Sequence, residues 1–183
     1  AMRIDMICPS HGPVYKDPGF IMDAYRDWAV GPARNKVALP FVSMHGSTQK
    51  MVDYFVAALI ARGIVVRPFN LTRTDIGELA LALVDPATVV MGTPTVLFGP
   101  HPQVVYATYL ANALRPKTRY ASVIGSYGWG GKSAETIVKM LDHVKVEVLE
   151  PVLAKGQPDE AAMKGLDRLA DEILKKHKEL NIV

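Results

Sequence analysis

A single cysteine, Cys8, is present among 183 residues, so no disulfide can close within the chain. One unpaired thiol, with no apolar N-terminal run of the kind a secretory leader needs, makes a reducing, cytoplasmic compartment the expectation. Runs of like charge are missing too: no five consecutive residues carry the same sign, and the net charge is only +3 despite a pI near 9.0. Such a balance lacks the clustered basic footprint of a nucleic-acid partner. A further shortage is local. Between Asp85 and Arg115 there is no Asp, Glu, Lys or Arg. A stretch this long could span a bilayer, but Pro86, Pro94, Pro100 and Pro102, with Gly92 and Gly99, interrupt it. A membrane span needs about 20 residues of continuous helix, so the segment reads instead as strand, loop and helix.

Apolar residues make up 49% of the chain and charged residues 21%. At about 100–200 residues per domain, this describes one domain with roughly 30 residues to spare. From Lys36 onward, short apolar runs alternate with segments of helical period. Strands are predicted at residues 37–42, 64–69, 88–93, 120–125 and 144–149; helices at 48–62, 75–83, 103–114, 132–143 and 159–180. Five such βα units favour an α/β, flavodoxin-like doubly wound five-stranded parallel sheet of order 2-1-3-4-5, spanning residues 36–183. Residues 1–35 stand outside the alternation. Punctuated by Pro9, Gly12, Pro13, Pro18, Gly19, Gly31 and Pro32, they leave room for one short helix near residues 20–29 and read as a linker or the tail of something upstream.

Doubly wound sheets bind ligands outside the carboxyl ends of their strands, near the switch between strands 1 and 3. The three loops at that edge are unusual. After strand 1, Ser43-Met44-His45-Gly46-Ser47-Thr48 leads straight into a helix, where hydroxyls, backbone N–H groups and the helix dipole suit a phosphate dianion. An ordinary N-cap by Ser47 or Thr48 accounts for the same loop equally well. After strand 3, Pro94-Thr95-Val96-Leu97-Phe98-Gly99 is uncharged and stiff, suited to the edge of a flat heteroaromatic ring; a buried crossover loop is the alternative. After strand 4, Ser126-Tyr127-Gly128-Trp129-Gly130-Gly131 sets two aromatics among glycines, which allow close backbone approach and ring stacking. Two other motifs fail on spacing. Gly131-Lys132-Ser133 ends like a P-loop, but the required leading glycine is Ser126; Gly128 and Gly130 start a dinucleotide fingerprint that ends at Ser133 instead of glycine. Placed together at one sheet edge, the three loops describe a pocket for flavin mononucleotide (FMN), a cofactor that carries its own redox chemistry.

These loops resemble those of the flavodiiron proteins, or A-type flavoproteins. The likeness lies in Ser43-Met44-His45-Gly46-Ser47-Thr48, in Gly92-Thr93-Pro94-Thr95 with Gly99-Pro100-His101-Pro102, and in Gly125-Ser126-Tyr127-Gly128-Trp129-Gly130-Gly131. Cys8-Pro9-Ser10-His11-Gly12-Pro13, followed by Tyr25 and Trp28, resembles the end of the family's β-lactamase-like diiron domain. The resemblance implies that residues 1–35 are the stub of that domain plus a linker, with Ala1 left from a tag or a cut boundary. In the family the histidine matching His11 is an iron ligand; its partners would lie upstream, and one imidazole cannot hold a diiron centre. No i, i+4 pairing occurs among the five histidines, so a metal site in this chain is not expected.

What the resemblance implies is an FMN-binding electron-transfer domain of an oxygen or nitric oxide reductase. Electrons would come from a reductase, a rubredoxin-like protein or reduced coenzyme F420 (F420H2), and would go to a diiron centre across a head-to-tail homodimer. Neither nucleic acid nor membrane is an expected partner. One position departs from the pattern: two places after Thr95, where the family commonly has a small polar residue, often Asn, the chain has Leu97 followed by Phe98. Two other classes compete with this reading, a stand-alone FMN-dependent NAD(P)H:quinone reductase and a flavin-free interaction domain. Finally, the uncharged helix near residues 103–114, with Tyr106, Tyr109 and Leu110, is expected to be covered by a partner subunit or a further domain.

Overall fold

Apolar runs too short for helices and greasy on both faces become parallel strands, because only a sheet covered on both sides can bury them. The computed structural model describes residues 3–183, which divide after Pro32 into two compact units. In the first unit, Ile7 and Tyr15 form an antiparallel bridge through N–H to carbonyl bonds of 3.0 and 2.9 Å. Helix α1 (Pro18–Val30) follows, with proline in its first turn and the Asp17 carboxylate accepting from Gly19 N–H at 3.0 Å. Among the described residues of this unit only Ile21 is buried, so it has no hydrophobic core of its own.

The second unit runs β1 (Arg34–Phe41), α2 (Ser47–Ala61), β2 (Val65–Asn70), α3 (Ile76–Ala82), β3 (Pro86–Val96), β4 (Gly99–Pro100), α4 (Pro102–Leu114), β5 (Tyr120–Tyr127), α5 (Ser133–Met140), β6 (Glu147–Val148), β7 (Val152–Lys155) and α6 (Glu160–Glu179). The strand order is β2-β1-β3-β5-β6, with every neighbour parallel, which is the doubly wound order expected. Val37, Leu39 and Phe41 face one core with Met51 and Phe55 of α2 and Leu166 and Leu169 of α6. Ala38, Val89, Met91 and Val123 face the other, against Leu79 of α3, Val104 of α4 and Ile137 of α5. Helices α2 and α6 are also tied by Arg62 Nε to Asp171 at 2.7 Å and by Tyr54 OH donating to Asp167 at 2.6 Å. Within the stretch lacking charge, Val104, Ala107 and Ala111 of α4 are buried, while Tyr106 and Tyr109 stand exposed. No helix among the described residues is long and apolar enough to cross a membrane.

Two segments differ from expectation. The strand expected at residues 144–149 is instead a split edge: β6 pairs with Tyr120 and Ala121, and β7 pairs with residues Ile124 through Tyr127. Between Ala121↔Val148 and Ile124↔Val152 the edge carries one extra residue, and Pro151 has no N–H to give the ladder. The bulge re-aims the chain and lets β7 run on to Lys155. The loop expected after strand 3 is a hairpin. Strand β3 continues to Val96 and β4 folds back on it, pairing Thr95↔Pro100 and Val96↔Gly99. Its two turn residues, Leu97 and Phe98, have φ of 48° and 64°. Left-handed backbone costs an L-residue about 1–2 kcal/mol, least for Asn and nothing for Gly, and here two bulky apolar residues bear it. Their side chains are 96% and 64% exposed, so packing does not offset that cost.

A buried imidazole closes the opposite, amino-terminal end of the sheet. His177 of α6 lies with Nδ1 2.8 Å from Asn35 Oδ1 and Nε2 2.8 Å from Thr88 Oγ1. Asn35 Nδ2 donates to Gly63 O at 3.0 Å, which leaves Oδ1 as an acceptor. The network therefore assigns the proton to Nδ1, with Thr88 donating to Nε2.

Burial lowers the His177 pKa from 6.5 to about 4. The unfolded chain thus takes up this proton before the folded one. Its contribution to stability is complete above pH 6.5 and is lost as the pH falls toward 4. Urea unfolding across that window should show a loss of about 3 kcal/mol from this group, at ~1.4 kcal/mol per pH unit. His177→Gln should remove that part of the slope; an unchanged slope would assign the acid sensitivity to other groups. In the hairpin, Leu97→Asn combined with Phe98→Gly should raise unfolding stability by about 1–2 kcal/mol. A loss of stability would show that these side chains support the isolated fold.

Candidate functional site

The parallel ladder pairs Phe41 with Gly92, Gly92 with Ile124, and Pro94 with Ser126. Strands β1, β3 and β5 therefore end at the same edge and deliver their following loops to one place. There a cavity of about 280 Å³ is lined by Ser43, Met44, His45, Ser47 and Thr48 from the first loop, by Pro94, Thr95 and Val96 from the second, and by Ser126, Tyr127 and Gly128 from the third. None of these lining residues carries a carboxylate, so nothing in the wall repels an anion.

In the first loop the N-cap falls on a residue other than the two expected from sequence. Gly46, with φ of +86°, is the N-cap of α2 and has no side chain to cap it. Ser47 and Thr48 are already helical, which rules out either as the N-cap. The Ser43 hydroxyl accepts from Gln49 N–H at 3.1 Å, and Thr48 Oγ1 lies 3.2 Å from Ser126 Oγ, joining the first loop to the third. The first N–H groups of a helix have no intrahelical acceptor, so those of Ser47 and Thr48, two residues that line the cavity, are chemically suited with the helix dipole to an anion.

The second and third loops meet around Thr95. A second cavity, about 360 Å³, is lined by Thr95, Tyr127, Gly130, Gly131, Ser133 and Leu153. It shares Thr95 and Tyr127 with the first. Leu97, Phe98 and Gly99 form the hairpin end beyond the lining, and Trp129, 87% exposed, lines neither cavity. The hairpin is anchored at its base. His101 N–H donates to Thr93 Oγ1 at 2.9 Å, and the His101 ring caps α4 by accepting from Gln103 N–H at 3.2 Å. Burial lowers the His101 pKa, which favours the neutral ring that this acceptance needs.

Three lining residues are additions to those expected from sequence: Gly156, Leu153 and Ser133. Gly156 N–H donates to Tyr127 O at 2.8 Å, so the loop after β7 is the fourth wall. Ending the edge strand at residue 149 hid Leu153 and Gly156. The rule that ligands gather at carboxyl ends would have found them had the strand been followed past Pro151. Among the described residues, no group of three or more His, Cys, Asp and Glu side chains converges as a metal cluster would. What the arrangement fits is an anionic group at α2, an uncharged body between the loops, and a flat ring beside Tyr127.

No protein-family model matches the chain. It is 33% identical over 149 residues to the nitric oxide reductase of Moorella thermoacetica, a match covering 81% of this chain and 37% of that protein. It is 30% identical over 185 residues to the coenzyme F420H2 oxidase of Methanocaldococcus jannaschii, covering 98% of this chain and 44% of that protein. Among solved structures, rubredoxin:oxygen oxidoreductase from Desulfovibrio gigas superposes with a TM-score of 0.90 at 26% identity, over 96% of this chain and 45% of that one. The flavodiiron protein of Giardia intestinalis shares the fold, with a TM-score of 0.81 at 22% identity over 94% of this chain and 44% of that one. The chain spans less than half the length of these relatives. By the order of its sheet and by a likeness that runs through nearly all of its residues, this chain belongs to the flavodiiron protein family, of which it covers the flavodoxin-like portion.

Proposed function

We propose that the chain is the FMN-binding electron-transfer part of a flavodiiron oxygen or nitric oxide reductase, acting as an oxidoreductase in its full-length form. One observation carries the reading: a helix N-terminus with glycine at its N-cap opens on a carboxylate-free cavity, and the same sheet edge brings an uncharged hairpin and an aromatic, glycine-rich loop beside it. FMN would supply one- and two-electron redox chemistry at this edge. Ser43, Ser47 and Thr48 would hold its phosphate with the first N–H groups of α2. Pro94 to Gly99 would border the ring, and Tyr127 and Trp129 would offer faces to it. Exclusion of water and tuning of the ring's electronics fall largely to backbone groups and hydroxyls, since no Asp, Glu, Lys or Arg lines the cavity.

Residues 1–35 are read as the end of an upstream β-lactamase-like diiron domain with its linker. That Ile21 alone is buried among the described residues of the first unit supports a segment completed elsewhere. The names of the relatives support a rubredoxin-like protein or F420H2 as the electron donor, and a reductase is the third candidate. Leu97, Phe98 and Trp129 beside the site, and Tyr106 and Tyr109 on α4, are exposed apolar groups that a head-to-tail homodimer of the full-length protein would cover. The strain in the hairpin is retained, on this reading, for the sake of that surface.

Titration with FMN should quench flavin fluorescence and yield a yellow protein; absence of quenching would remove the proposal. Riboflavin, which lacks the phosphate, should bind at least about tenfold more weakly, because charge-assisted hydrogen bonds at α2 are lost. Equal affinities would take the phosphate away from this helix. Trp129→Ala should leave the unfolding midpoint unchanged while weakening FMN by about three- to tenfold through lost stacking. Rapid NAD(P)H-dependent quinone turnover by the chain alone would favour a stand-alone quinone reductase instead.

A further inference from the structure

We infer that Ser133 is a positioning residue for the flavin site, holding the glycine-rich loop against the hairpin through Thr95 so that the two close on the ring as one clamp. The inference rests on the flavin reading above. Ser133 is 2% exposed and stands at the first position of α5. A serine at a helix start ordinarily caps its own helix, but the N-cap here is Lys132 and no side chain caps the helix. The Ser133 hydroxyl is instead turned toward Thr95, with Oγ to Oγ1 at 2.9 Å. Thr95 lines both cavities, so whatever fixes Thr95 fixes both walls.

Two further contacts join the same pair of segments. Lys132 N–H donates to Phe98 O at 2.8 Å, so the strained turn presents its carbonyl to the loop. Gly131, with φ of +158°, lies so close that an added Cβ would sit 2.5 Å from Thr95 Cγ2. The next part of the loop is different. Around Gly128 and Gly130 an added Cβ would meet nothing within 4 Å, and Trp129 between them is 87% exposed. The loop is thus gripped at its 131–133 end and open at its tip. The placing of the tip over a ring therefore depends on the grip, and the Thr95–Ser133 hydroxyl pair, with Ser133 buried and Thr95 half-buried, is its side-chain part.

A double-mutant cycle tests this. Ser133→Ala and Thr95→Val each remove one hydroxyl with little change of volume, and FMN affinity is read by fluorescence quenching in both, in the double variant and in the wild type. Each single change should weaken FMN by about tenfold, the order of one buried hydrogen bond, and the double should lose no more than about tenfold, because a shared interaction is lost once. In the ligand-free protein, amide hydrogen exchange should quicken at residues 127–132 in Ser133→Ala and stay unchanged at the first loop. Ser133→Thr, which keeps the hydroxyl, should restore both. Unchanged FMN affinity in Ser133→Ala, or losses that multiply to about a hundredfold in the double variant, would overturn the inference while leaving the flavin site in place. Failure of the wild type to bind FMN would overturn the flavin reading itself.

Discussion

The parallel pairing of β1, β3 and β5 is the interaction on which the rest depends. Parallel strands in register end at a common edge, and each must be followed by a loop that climbs to a helix on one face or the other. Phe41↔Gly92, Gly92↔Ile124 and Pro94↔Ser126 bring those ends to one edge of the sheet, with β3 and β5 running on past the end of β1. Because α2 lies on one face of the sheet and α4 and α5 on the other, the loops diverge from the edge and leave a crevice between them. Burial on both faces holds the register, since a slip of one residue would exchange the Val37, Leu39 and Phe41 set with the Ala38 set. The cavity is therefore a consequence of core packing rather than of the loops themselves.

Given that crevice, the local chemistry of each loop decides what it can hold. Gly46 in the left-handed region turns the chain into α2 with no side chain of its own to cap it, and Ser43 takes up only the Gln49 N–H, which leaves those of Ser47 and Thr48 without an intrahelical acceptor. The hairpin takes the opposite course and spends stability on two bulky residues in left-handed backbone, with their side chains turned to solvent. A turn selected for stability alone would place Asn or Gly there. Leu97 and Phe98 are two of the four non-glycine residues with positive φ among the described residues, and the only adjacent pair.

Much of this was legible in the sequence, and the exceptions have physical causes. Strand order, the alternation of helices and the three unusual loops follow from periodicity and from the carboxyl-edge rule, and the charge gap resolves into β3, the hairpin and α4. Strand β7 was hidden because a bulge and Pro151 break the ladder signal between Leu149 and Val152; with it went Leu153 and Gly156. The hairpin was hidden because Leu97 and Phe98 carry none of the Asn or Gly signature by which such turns are read. Ser133 was passed over since Gly131-Lys132-Ser133 invites comparison with a P-loop, and once that fails the serine looks like a simple helix start. Its partner, Thr95, lies 38 positions away, beyond any local pattern.

The central claim is that three loops far apart in sequence form one flavin site. Backbone amide chemical shifts followed during an FMN titration test it most directly. The account predicts that amides at residues 43–48, 94–99 and 126–131, together with Gly156, move along one saturation curve with a single midpoint. Shifts confined to one loop, or separate midpoints for α2 and for the Tyr127 loop, would contradict it.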